Sequence, residues 1–118
     1  MREKIVDMPY IKDLSVNHYL GRKRDGGYYV KDEIKRWKEE LGWKLVTAHI
    51  EDWRRPIHVR CDGWFKDKRS TPDLNNLGKV IMDSIEETCG VNDRFYRWQD
   101  GDIHYTEDEP YLKITIKE

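Results

Sequence analysis

Between Pro56 and Gly90 the spacing of apolar residues changes once, from two to three and four. In PIHVRCDGWF, Ile57, Val59 and Cys61 alternate with His58, Arg60 and Asp62, the period of a half-buried strand whose second set faces water. In TPDLNNLGKVIMDSIEETCG, Leu74, Leu77, Ile81 and Ile85 recur at three and four, with Val80 broadening the stripe, which is the core face of a helix. Asp73 is expected to cap that helix at its N-terminus, and Gly90 to close it as a left-handed residue with Val91 as the accompanying apolar contact. The short basic loop Lys66–Ser70 joins strand to helix.

The remaining elements arrange themselves around this unit. Lys4–Ile11 reads as a first strand and Tyr111–Lys117 as the last. Ser15–Leu20 leads into a basic loop, Gly21–Tyr29, with Asp-Gly-Gly as its turn signal. From Val30 to Ala48 the residues Ile34, Trp37, Leu41, Leu45 and Ala48 form the narrow apolar stripe of another helix. Phe95–Trp98 and Ile103–Tyr105 read as strand pieces around a turn at Gln99–Asp102, and Glu107–Pro110 as a turn that pairs the two final strands in an antiparallel hairpin. The order β, α, β, α, β, β predicts a mixed α/β (α+β) fold over residues 1–118, one domain with two main helices packed on a small mixed sheet.

Composition excludes several classes. No apolar run is long enough to span a membrane, and MREKIVDMPY lacks the apolar stretch of a secretory signal, so a cytoplasmic protein is expected. Cys61 and Cys89 form no C-x-x-C pair, and His18, His49, His58 and His104 are scattered, which argues against zinc and for buried free thiols. The formal net charge is −1, yet it is unevenly spread. Residues 20–70 hold 14 Lys/Arg against 9 Asp/Glu, a balance of +5, whereas residues 71–118 hold 5 against 11, a balance of −6. The first part suits a phosphate backbone and the second a divalent cation. On charge alone, an ordinary charged surface is the better account.

The helix after Pro72 carries a second stripe. Asn76, Lys79 and Asp83 are spaced by three and four on a face distinct from the apolar one. A solvated face with one Lys–Asp pair explains them singly, and such a pair contributes only about 0.3–0.5 kcal/mol. Three features together favour chemistry: Asn75 and Asn76 are mediocre helix formers, Asp93 returns just beyond Gly90, and a basic loop leads straight into Asp73.

The pattern Asp73, Asn76, Lys79, Asp83, followed by Gly90-Val91-Asn92-Asp93, resembles the RusA family of Holliday junction endodeoxyribonucleases, and Ser15-Val16-Asn17 with Tyr19 resembles the family's N-terminal Ser-x-Asn and aromatic. The resemblance implies a RusA-like homodimer that uses Mg²⁺, with Mn²⁺ as an alternative, to cut four-way junction DNA. It implies Asp73, Lys79 and Asp93 as catalytic residues and Asp73, Asn75, Asp83 and Asp93 as metal ligands. Asn17 and Asn76 would meet the DNA, with Arg22, Lys23, Arg24, Lys66, Lys68 and Arg69 as backbone contacts. Asn75 departs from the family pattern, which has a second Asp there. Its amide can ligate through oxygen but brings no charge, so a junction-binding protein with weakened chemistry is the competing expectation. Tyr28, Tyr29 and Trp64 could stack at a junction crossover, although packing is the commoner use of such side chains.

Overall fold

A computed structural model describes all residues, 1–118. Its elements are β1 (Glu3–Pro9), β2 (Leu20–Arg22), β3 (Tyr28–Val30), α1 (Asp32–Leu45), β4 (Ile57–Phe65), α2 (Gly78–Cys89), β5 (Tyr96–Tyr105) and β6 (Tyr111–Lys117). The main sheet has the order β1-β6-β4-β5. β6 is antiparallel to both β1 and β4, while β4 and β5 run parallel, so the sheet is mixed.

The core forms where the two periods meet. Ile57, Val59, Cys61 and Phe65 of β4, Leu112, Ile114 and Ile116 of β6, and Val6 and Met8 of β1 are buried in one cluster with Ile34, Trp37, Leu41 and Leu45 of α1 and Val80, Ile81 and Ile85 of α2. Both helices therefore cover the same face of the sheet. They are tied together where the Ser84 hydroxyl, buried between them, donates to the Lys38 carbonyl at 2.9 Å. Both cysteines are free; Cys61 lies in the core, where burial pushes its thiol up to about 12.

Several local expectations need correction. The segment expected as a basic loop, Gly21–Tyr29, belongs to a two-stranded hairpin of β2 and β3, with Gly21 opposite Tyr29. Gln99–Asp102 is not a turn: β5 runs through it without a break. The register slips there, with Cys61 opposite Asp100 and Gly63 opposite Ile103, so β5 carries one extra residue. The final two strands do not form a hairpin. β6 is buried at Leu112, Ile114 and Ile116 and needs a neighbour on each side, whereas β5 is mostly exposed and suits an edge. The connection between them therefore steps across the end of β4, held by Thr106 N–H to the Phe65 carbonyl (2.9 Å) and Tyr10 N–H to the Pro110 carbonyl (3.1 Å).

Asp62 also differs from expectation: it lies on the uncovered face but is only 5% exposed. The slip in β5 causes this. It aims the Asp102 N–H at Asp62 Oδ1 (2.7 Å), and Arg60 closes over the carboxylate with bonds of 3.2 and 3.1 Å. A side chain at Gly101 would collide with that carboxylate, its Cβ lying 2.4 Å from Oδ1.

Burial raises the Asp62 carboxyl, but the Arg60 hydrogen bonds, the Asp102 N–H and the Arg60 charge outweigh it and hold the group below its ordinary range. Glu118 is held down to about 2 by the Arg54 N–H and by Arg2. Groups with depressed folded values stabilise the protein above their unfolded values and lose that contribution as pH falls. The melting temperature is therefore expected to drop as pH falls from about 5 toward 2. In Glu118→Gln that drop should be shallower, as thermal unfolding at pH 6, 4 and 3 would show; an identical pH profile would contradict the assignment.

Candidate active site

The helix expected to start at Asp73 begins instead as a 3₁₀ turn, Leu74–Leu77, and becomes α-helical only at Gly78. Asp73 precedes the turn, but its side chain does not cap it. The Asn76 N–H donates to the Asp73 backbone carbonyl at 3.0 Å, leaving the carboxylate exposed. The preceding loop is set by Asp67, which accepts from the N–H and hydroxyl of Ser70, each at 2.8 Å. The Val16 N–H donates to the Asn76 carbonyl at 2.7 Å and so fastens the N-terminal loop to the same turn. Between loop and turn lies a groove of about 520 Å³ whose walls include Ser15, Asn17, Arg69, Asp73 and Asn76. Asn75 is exposed on the turn.

The other end of α2 brings acids together. Gly90 takes φ +76° and its N–H donates to the Glu86 carbonyl at 2.7 Å, so the chain doubles back at once. Val91 anchors this reversal by burial, and the Tyr96 hydroxyl donates to its carbonyl at 2.8 Å. The Asn92 side chain accepts the Arg94 N–H and starts a 3₁₀ turn over Asp93–Phe95. The Asp93 N–H then meets Glu86 Oε1 at 3.2 Å. As a result carboxylate oxygens of Asp83, Glu86 and Asp93 all lie within 4.8 Å of one another. Lys79 Nζ binds Asp83 Oδ1 at 3.2 Å. That hydrogen bond and the Asp83 charge raise the Lys79 ammonium, with Tyr19 and Asp93 adding to the effect, so it stays charged at neutral pH.

Of the sequence-derived site residues, Lys79, Asp83 and Asp93 converge, and Asn17, Arg69, Asp73 and Asn76 share the groove. Asp73 does not belong to the carboxylate group. Arg22, Lys23 and Arg24 sit exposed at the β2–β3 hairpin and its turn, and Lys66 and Lys68 sit exposed on the loop before Asp73. Glu86 was not foreseen, yet the stripe Asn76, Lys79, Asp83 reaches it by one more step of three. Three carboxylates this close offer hard oxygen donors of the kind that suit Mg²⁺ or Mn²⁺.

The family model for endodeoxyribonuclease RusA matches residues 13–117, which includes the carboxylate group and most of the groove. The chain belongs to the RusA family. Endodeoxyribonuclease chemistry is therefore the activity of its relatives, and a divalent-metal requirement goes with it. The RusA match begins just before Ser15 and ends in β6, so it covers every strand of the main sheet except β1. No curated protein matches the chain. No helix of this RusA-family chain is long and apolar enough to cross a membrane.

Proposed function

We propose that the chain acts as a homodimer in the cytoplasm and resolves Holliday junctions by paired, Mg²⁺-dependent phosphodiester cleavage during DNA recombination and repair. One observation carries the reading: Asp83, Glu86 and Asp93 present oxygens within 4.8 Å of one another, with Lys79 bonded to one of them.

Asp83, Glu86 and Asp93 would hold the cation, while Asp73 stands in the groove at the 3₁₀ turn that leads into α2, with Asn75 exposed on that turn. When bound, the ion would polarise a phosphate oxygen and lower the pKa of a water. The protein's own groups do the rest. Lys79 offers a permanent positive charge to the scissile phosphate and keeps Asp83 in one orientation. Glu86 holds the backbone of Asp93, so the loop carboxylate stays at the helix. Asp73 has no capping bond to break and can take a proton in the groove. Asn17 and Asn76 offer uncharged contacts to the strand there. Lys66, Lys68 and Arg69, with Arg22, Lys23 and Arg24 on the hairpin, would meet the phosphate backbone and make binding steeply salt-dependent. Two subunits related by a two-fold axis would supply two sites for symmetric nicks.

A second reading is favoured by Asn75, which is exposed beside Asp73 and carries no charge. In that reading the chain binds junctions with weakened chemistry. A synthetic four-way junction incubated with Mg²⁺ or Mn²⁺ separates the two. Paired nicks from the natural sequence support the nuclease. Binding without nicks, with cleavage appearing in Asn75→Asp, supports the weakened form. Neither binding nor nicking in either protein would defeat both.

A further inference from the structure

Three aromatic side chains have the shape to stack on a base, and the fold uses two of them. Trp64 lies between two other rings, Tyr111 at 4.7 Å and 4° and His104 at 4.5 Å and 18°. Tyr29 lies across the strand pair on Gly21, where a Cβ would collide with its ring. Tyr28 is different. It is 65% exposed and pairs with no other ring. Leaving so large an apolar surface in water gains the fold nothing.

The segment that carries Tyr28 is built to present it. β2 and β3 form a two-stranded ribbon of their own, separate from the main sheet. The turn between them is fixed by its own bonds: Lys23 N–H to the Gly27 carbonyl at 2.7 Å, Gly26 N–H to the Lys23 carbonyl at 3.1 Å, and Gly27 N–H to Asp25 Oδ1 at 3.0 Å. Gly26 takes φ +91°, which favours glycine at that position. The root is fixed as well. The Lys31 N–H donates to the Tyr19 carbonyl at 3.2 Å, Lys31 Nζ pairs with Asp13 at 3.2 Å, and α1 begins at Asp32 directly after β3. Three residues per strand carry the turn about 10 Å beyond that root.

The root adjoins both parts of the site. Tyr19 is partly buried against the core and near enough to Lys79 to favour its charge, and Val16 is bonded to Asn76. The ribbon therefore projects from the place where the strand to be cut would lie. Its own charges are Arg22, Lys23 and Arg24 against Asp25, a net attraction for phosphate. Arg22 is the cross-strand partner of Tyr28, on the same side of the ribbon as Leu20 and Val30. A base on the Tyr28 ring would thus bring its phosphate toward a guanidinium.

Duplex DNA offers such a ring nothing, since each of its bases is stacked on both faces. At a branch point the stack is interrupted, and an aromatic side chain can take the place of the missing neighbour. We infer that the β2–β3 hairpin is the element that tells a branch point from plain duplex, with Tyr28 stacked on a base at the crossover and Arg22, Lys23 and Arg24 on the phosphates around it. The inference rests on the junction reading above and deepens it, but needs neither the metal nor the cutting step.

The test uses binding in EDTA, so that no strand is cut. A synthetic four-way junction carries 5-iodouracil next to the branch point, or in mid-arm as a control, and a duplex of the same length serves for comparison. Long-wavelength irradiation should crosslink the branch-point base to Tyr28, within the tryptic peptide Asp25–Lys31, and the mid-arm base should give no such product. Tyr28→Ala should weaken junction binding about tenfold and duplex binding by less than about twofold, the loss of one stacked base. Tyr28→Phe keeps the ring and should bind as the natural chain does. Circular dichroism and thermal unfolding check that both variants fold. Undiminished junction preference in a folded Tyr28→Ala overturns the role of Tyr28 and leaves the junction reading standing. So does a loss shared equally by duplex, an absent branch-point crosslink, or one mapped to another residue. A natural chain that binds the junction no more tightly than duplex overturns the junction reading and this inference together.

Discussion

Asp83→Asn is expected to lower Mg²⁺-dependent junction cleavage by about 10²–10³-fold while leaving junction binding intact. Two effects act together. The substitution removes one of the three charges grouped within 4.8 Å, and it breaks the carboxylate bond that orients Lys79. The loss corresponds to about 3–4 kcal/mol of transition-state stabilisation, a size usual for charge groups around a reacting phosphate. Binding should hold or tighten slightly, because an acid facing the DNA phosphates has gone. Single-turnover cleavage in Mg²⁺ and a mobility shift in EDTA measure the two quantities separately. Cleavage at the natural rate in a folded Asp83→Asn would remove the carboxylate group from the mechanism. A parallel loss of binding would instead make Asp83 a structural residue.

Leu77→Ala should cost about 3 kcal/mol of folding free energy, within the 2–5 kcal/mol range for emptied core positions. Leu77 is fully buried and is the last residue of the 3₁₀ turn, where the chain enters α2. Its neighbours cannot easily collapse into the space, since Gly78 lies against the Trp98 ring and a Cβ there would already be 3.2 Å from it. A domain of this size has a total stability of about 5–15 kcal/mol, so the variant should show a clearly lower urea midpoint. Leu77→Met, which keeps the volume, should lose less than about 1.5 kcal/mol. Equal midpoints for Leu77→Ala and the natural chain would mean that the turn is not packed as described.

The strand–helix unit from Ile57 to Cys89 is legible because both periods are written out in full, and the residues that set them are the buried ones. Gly90 is legible for a local reason as well, since a chain that must reverse there needs its positive φ. What stays hidden depends on distant partners. Nothing in Asp62 announces burial; the bulge in β5 and the position of Arg60 decide it. Strand order is hidden for the same reason. β5 and β6 are neighbours in sequence, but the need to bury both flanks of β6 puts β4 between them. β2 and β3 have three residues each and adjacent tyrosines, too little for alternation to register. At the site, the helical stripe pointed to Lys79 and Asp83, while the pairing of Asp93 with Glu86 needed the geometry of the reversal at Gly90. Asp73 shows the limit of reading caps from composition. A 3₁₀ start takes the Asn76 N–H to the backbone and leaves the acid unused by the fold.

The position of β6 between β1 and β4 has a consequence for how this molecule is made. β1 leaves the ribosome before β6 and has no strand to pair with until β6 follows it, more than a hundred residues later. Until then a growing chain exposes unpaired backbone on both β1 and β4, the condition under which nascent proteins stick to one another. A transcript cut short before Tyr111 would leave that condition permanent, and a chaperone that shields strand edges would be of most use to this protein during its synthesis.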